Sequence, residues 1–357
     1  MMLAFREVVE RMEGYVPGEQ PQERGFIKLN TNENPYPPPQ EVLKALREKV
    51  TPECLSLYPP PLSDQLRFKL SEVYGVSPEQ IIVGNGSDEL LNIIFRAFLG
   101  YRSRVAYLYP TYTLYRTLAT IQEADYLEIP FQEEDFQQLP SRFLTEEVDL
   151  KVVCNPNSPT GTFIPMEEIE KLLQNSSCPV VLDEAYVDFA EESALPLLPK
   201  YPHLIIVRTL SKSFSLAGLR IGFLFAHPEV VRGLLKLKDS YNVNILSQIA
   251  GVAALEGLNQ VKENISKIKR TREWFSQALE NLGFQVLPSQ ANFVFVRNRS
   301  YESLEKVYQE LKSRKILVRF FPEWKEWLRI TVGKDQEMQI LLENLKEILD
   351  KEQNQSA

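Results

Sequence analysis

The chain has 357 residues, 44% hydrophobic and 25% charged, with a formal net charge of −8. That is the make-up of a globular protein long enough for two domains, and its acidic balance leaves no electrostatic footprint for nucleic acid or an anionic membrane surface. No apolar run approaches the roughly 20 residues of a membrane span, and the polar start MMLAFREVVERMEG does not read as a signal peptide.

From the N-terminus, residues 3–13 can form a short amphipathic helix that ends in Gly14–Gly18. IKLNTNENPYPPP (residues 27–39) is rich in Asn and Pro and reads as an irregular arm. Helical spacing at 41–50 leads to SLYPPP (residues 56–61), an extended, proline-fixed segment that carries an isolated Tyr58. Both segments read equally as surface linkers or as arms reaching a neighbouring subunit. A helix is expected at 63–74, then a strand at 81–83, a glycine turn at 84–89 and a helix to about Leu99. Ser87 or Asp88 can cap that helix, whose free N–H groups would face a phosphate, although a plain tight turn explains Gly84 and Gly86 as well. Neither a G-x-G-x-x-G fingerprint nor a P-loop is present.

Further strands are expected at 104–109, 148–154, 179–182 and 204–207, alternating with helical stretches, the pattern of parallel βαβ units. The unusual polar residues fall just past these strands: Gly86 and Ser87, Tyr112, Asn155, Asp183, Tyr186 and Lys212. In a parallel sheet those ends share one edge, where ligands of open α/β sheets bind. Residues 228–281 are mainly helical, a bridge to strands at 284–287, 292–296, 316–321 and 327–332 with helices near 301–313 and 335–350. The chain therefore divides into an N-terminal helix and arm (1–40), a large α/β domain with the bridging helix (41–275) and a small α+β domain (276–357) that offers Arg319 and Arg329 on strands. The terminal KEQNQSA reads as disordered. Cys54, Cys154 and Cys178 are far apart, which suggests reduced thiols in a cytoplasmic protein and no metal site. Only two histidines, His203 and His227, are present, so acid–base work falls to other groups.

The stretch LIIVRTLSKSFSLAGLRIG (residues 204–222) is the strongest single signal. Lys212 stands just beyond a buried strand among the hydroxyls of Thr209 and Ser211, with Arg220 eight positions on. A lysine that loses water near other positive charge has a lowered pKa, and its free amine attacks carbonyl carbon. A solvated lysine in a βα loop is the plain alternative.

NENP (32–35), YPTY (109–112), NPNSPTG (155–161), DEAY (183–186), SKSFSLAGLRIGF (211–223) and LRITVG (328–333) occur in this order. Together they resemble the pyridoxal-phosphate-dependent aminotransferases of fold type I over nearly the whole chain. Within these, YPPP, the GNGSDELL turn and the short N-terminus are most similar to the histidinol-phosphate aminotransferase family. The resemblance implies an α/β fold with a mostly parallel seven-stranded sheet, helices on both faces and a smaller α+β domain. It implies pyridoxal 5'-phosphate as cofactor, no metal, an amino donor and a 2-oxo acid as substrates, and a homodimer with shared sites.

By the same resemblance Lys212 bonds the cofactor aldehyde and then moves the substrate proton, and Asp183 faces the pyridine nitrogen. Asn155 and Tyr186 hold the ring hydroxyl, and Tyr112 stacks on the ring. Gly86, Ser87, Ser211, Arg220 and the partner subunit's Tyr58 bind the cofactor phosphate, and Asp88 and Thr209 also bind the cofactor. Arg329, Arg319 and Tyr15, with Asn155, bind the substrate. The chain departs from the family pattern at Pro60, where Asp is frequent, and at Ser158, where Asn is frequent. An aromatic amino-acid aminotransferase and a threonine-phosphate decarboxylase are the alternatives on the same scaffold.

Overall fold

Strands that are apolar at every position need cover on both faces, and the large unit is built from such strands. In the computed structural model, which describes residues 5–132 and 135–356, the arm first contributes a short strand, β1 (Ile27–Lys28). Next come β2 (Ile81–Gly84), β3 (Arg104–Tyr109), β4 (Asp125–Pro130), β5 (Leu150–Cys154), β6 (Val180–Asp183), β7 (Leu204–Thr209) and β8 (Gly222–Ala226). These seven form one sheet in the order β2-β8-β7-β6-β5-β3-β4. All residues of β2, β5, β6, β7 and β8 are buried. One core layer, with Leu66, Phe143, Leu172 and Phe214, covers one face; a second, with Leu91, Ile94, Phe95 and Tyr115, covers the other.

Pairing is parallel from β4 through β3, β5 and β6 to β7, whereas β8 runs antiparallel to both β7 and β2. Two of these strands, β4 and β8, are absent from the sequence reading. The β8 pairing changes the setting of Lys212. Its loop joins two antiparallel neighbours instead of leading into a helix, and backbone bonds from Leu210 to Ile221 (3.0 Å) and from Leu216 to Leu210 (3.1 Å) close it.

The remaining strands are β9 (Gln285–Val286), β10 (Phe293–Arg297), β11 (Ile316–Leu317), β12 (Arg319–Phe320) and β13 (Trp327–Thr331). A four-stranded antiparallel sheet has the order β12-β13-β10-β9, and β1 pairs in parallel with β11. The strand expected at 316–321 is thus two short strands in different sheets, parted at Val318. The helix Leu258–Asn281, about 35 Å long, joins the two units: Val261 packs in the large core, Phe275 and Leu279 in the small one. Leu29 of the arm packs in the small core too. The first helix is only Glu7–Arg11, residues 1–4 lying outside the described ones, and the last helix runs through Ser356 where disorder was expected. Among the described residues no helix is long and apolar enough to cross a membrane, and no cluster of His, Cys, Asp or Glu could hold a metal. All three cysteines are free thiols.

Candidate active site

The carboxyl ends of β5, β6 and β7 meet the arm and β13 around a cavity of about 260 Å³. Lys212, Asp183, Tyr186 and Arg329 all line it. Lys212 Nζ donates to the Thr31 carbonyl (3.2 Å) and stands 5.6 Å from the centroid of the Tyr186 ring. Burial, and after it the Arg329 charge, pull the Lys212 pKa down to about 8, against the opposing pull of Glu33 and Asp88. Its amine is therefore far more often uncharged near neutrality than an ordinary lysine.

Asp183 ends β6 and is 3% exposed. Its Oδ2 accepts from the Tyr115 hydroxyl (2.7 Å) and its Oδ1 from the Ala185 N–H (3.2 Å). Among the described residues no cation pairs with it. Burial pushes its pKa up to about 6, and the Tyr115 bond restrains that rise. A buried carboxylate held by donors alone is a receptor for a cationic group.

Arg329 on β13 gives Nη2 to the Asn30 carbonyl (2.9 Å) and Nη1 to Ser158 Oγ (3.2 Å), while its buried Nε has no partner. The guanidinium lies 5.3 Å from the Phe293 ring and 5.5 Å from that of Phe321. Burial lowers its pKa, and among the described residues no carboxylate pairs with it. Such a cation, aimed into a cavity, is set to take an anion.

A second anion cradle lies at the start of the helix Ser87–Phe98, where no side chain caps the free N–H groups. Arg220 Nη1 approaches Ser211 Oγ (3.5 Å), which in turn lies 2.9 Å from Thr209 Oγ1. Glycine is required here twice. Gly86 has φ 83°, in the left-handed region, and a Cβ at Gly222 would come 2.4 Å from the Gly86 backbone. The Asp88 side chain bonds Arg220 (3.0 Å) and the Tyr112 hydroxyl (3.3 Å), so Asp88 offers an anion its backbone N–H and not its carboxylate.

Tyr15, Ser87, Asp88, Tyr112 and Arg319 line the cavity as well, as do Thr209, Ser211 and Arg220. Arg319 donates to the Val16 and Pro17 carbonyls (3.2 Å each), fastening the segment that brings Tyr15 edge-on to Tyr112 at 5.8 Å. One expectation needs correction. Asn155 does not reach the cavity, because its amide is used on the Ile164 backbone, donating to O at 2.9 Å and accepting from N at 2.8 Å. From the same loop it is Ser158 that faces inward, beside Arg329. Tyr58 is 81% exposed and stacks on Tyr241 at 4.5 Å, outside this chain's own cavity. Sequence reasoning missed Asn32, Tyr115, Ser158 and Trp324. Asn32 and Ser158 stood inside quoted motifs, NENP and NPNSPTG, without a role assigned to them, and Tyr115 lies one helical turn beyond Tyr112.

A cavity that sets a lysine of lowered pKa beside a carboxylate and a guanidinium without ion-pair partners among the described residues suits carbonyl–amine chemistry on an anionic substrate. A family model described as aminotransferase class I and II matches residues 24–345, and the chain belongs to that family. A histidinol-phosphate aminotransferase of Nostoc sp. is 44% identical over 350 residues, covering 97% of this chain and 98% of its own. Another, from Rhodopirellula baltica, is 43% identical, covering 94% and 93%. The crystal structure of the Sinorhizobium meliloti histidinol-phosphate aminotransferase in complex with pyridoxal-5'-phosphate superimposes with a TM-score of 0.89 at 26% identity, over 98% of this chain and 99% of that one.

Proposed function

We propose that this chain uses pyridoxal 5'-phosphate to move the amino group of histidinol phosphate to 2-oxoglutarate, giving imidazole-acetol phosphate and glutamate in histidine biosynthesis. The observation that carries the reading is one cavity lined by an amine of pKa about 8, a cation-free carboxylate and a carboxylate-free guanidinium, those of Lys212, Asp183 and Arg329. The donor set suits the cofactor. The helix N-terminus at Ser87, with Ser211, Thr209 and Arg220, would hold its phosphate, and Asp183 would hold its ring nitrogen protonated. When bound, that group supplies an electron sink for the substrate's Cα–H bond.

The chain's own residues do the rest. Lys212 attacks as the free amine and, once displaced by substrate, takes and returns the Cα proton at Nζ. Tyr186 presents its hydroxyl from the wall, and Tyr112 offers a ring face. Arg329, with Arg319 beside it, would hold the substrate phosphate in one half-reaction and a carboxylate in the other. The agreement of full-length relatives on one substrate name supports histidinol phosphate. The exposure of Tyr58, flanked by exposed Leu55 and Leu57, suits a surface covered by a second copy, whose cavity Tyr58 would complete. The free thiols suit a cytoplasmic setting.

The test is glutamate formation from 2-oxoglutarate by the pyridoxal-phosphate-loaded protein, offered histidinol phosphate, phenylalanine or threonine phosphate. Turnover is expected to be fastest with the first. Faster turnover with phenylalanine, or carbon dioxide release from threonine phosphate, would overturn the substrate assignment.

A further inference from the structure

The arm touches the catalytic groups residue by residue. The Leu29 carbonyl accepts from Thr331 N (2.9 Å), the Asn30 carbonyl from Arg329 and the Thr31 carbonyl from Lys212. Asn32 comes next. It is 1% exposed and has φ 59°, a left-handed conformation that is strained for a non-glycine residue. Local strain of this kind persists only where the surroundings over-determine it.

Here they do. The Thr331 hydroxyl accepts from the Asn32 backbone N–H at 3.0 Å, so its one proton goes to Asn32 Oδ1, also at 3.0 Å. The Asn32 carbonyl accepts from Asn292 Nδ2 (3.0 Å). With Oδ1 defined as the acceptor, Nδ2 is the donor, and it lies 2.9 Å from the Tyr186 hydroxyl oxygen. A phenol has a single proton. Because Asn32 gives to Tyr186 and takes nothing from it, that proton must leave in another direction, and among the described residues it has no acceptor.

We infer that Asn32 is a positioning residue which, by donating to the Tyr186 oxygen, turns the Tyr186 proton into the cavity toward the ring oxygen of the bound cofactor. The inference rests on the cofactor reading above. Lys212, Arg329, Asp183, Cys154 and Tyr112 are the titratable groups that face Tyr186, and all five stay in place in every variant below.

The readout is the pH midpoint at which the bound cofactor changes colour. A donor to the ring oxygen draws electron density from the ring and lowers that midpoint; losing the donor raises it. Asn32→Gly accepts the positive φ freely and keeps both backbone bonds. It is expected to raise the midpoint by about one unit, a tenfold change in proton affinity, much as Tyr186→Phe does. The double variant should shift no further than Tyr186→Phe alone, the non-additivity of two groups acting through one proton. Thr331→Val, which releases the Asn32 amide, should shift the midpoint in the same direction by less. If Tyr186→Phe moves the midpoint and Asn32→Gly does not, or if the two shifts add, the inference fails alone. A protein that takes up no pyridoxal phosphate, or whose colour borohydride fixes elsewhere than on Lys212, sinks the cofactor reading with it.

Discussion

Two adjacent carboxylates at the end of β6 meet opposite fates. Asp183 turns toward the cavity, where it meets only hydroxyl and amide donors. Glu184 turns away and is gripped by Arg208 through Nε (2.9 Å) and Nη2 (2.8 Å), with the Ala194 N–H (2.7 Å) completing its shell. Arg208 in turn lies 5.0 Å from the Tyr74 ring. Both acids are almost fully buried, at 3% and 2% exposure. Burial therefore does not separate them; compensation does. Behind the sheet edge Glu184 is matched by Arg208, and in front of it Lys212, Asp183 and Arg329 have no ion-pair partner among the described residues. The unmatched side is the one that can bind and react.

The contrast breaks most sharply at Lys212. Lys212→Ala should lower turnover by at least about 10⁴-fold, since attacking amine and proton carrier are lost together. Thermal unfolding should stay within a degree or two of the parent, because no ion pair is broken. A protein that lost stability and kept its rate would reverse the assignment of the two sides.

On the matched side the expected effect is on stability. Glu184→Gln leaves the Arg208 cation buried without its counter-charge and should cost about 3–5 kcal/mol in urea unfolding. Removing both partners, as Arg208→Met with Glu184→Leu, should recover most of that. If the single substitution costs under about 1 kcal/mol, this pair is not what anchors the strand end.

Asp183 should show the opposite sign. Its folded pKa of about 6 lies above the ordinary carboxylate value, so the cofactor-free folded state holds that proton more tightly than the unfolded chain. Stability from this group is lost as pH rises from about 4 to about 6. Asp183→Asn should escape the loss, making the cofactor-free protein more stable at pH 7 by up to about 3 kcal/mol while crippling turnover. Parallel stability–pH curves for the two proteins would show that the carboxylate is not under strain.

How far the sequence could be read follows the same division. The central strands declared themselves through unbroken apolar runs such as VVLD and LIIVRT, and the site residues at their ends followed. Strand β4 did not, because DYLEIP lies at the sheet edge, half exposed, and has no apolar run to notice. Strand β8 carries an apolar run of its own, GFLFA, which went unread because a helix was expected after the Lys212 loop. Asn155 is one residue past the end of β5 and Ser158 four, yet the folding back of their loop onto Ile164 decides that the farther one faces the cavity. Asn32 acts on a tyrosine 154 positions away, a relation that no local pattern carries.

The bond between Asn32 and Thr331 spans 299 positions of chain. Its consequence is one of timing. On the ribosome, the lysine loop and the aspartate are made long before the strand that secures the arm across them. Until β13 has emerged and docked, the nascent protein holds neither the arm nor Arg329 in position, so the burial and neighbouring charge that free the Lys212 amine arise only when the molecule is nearly complete.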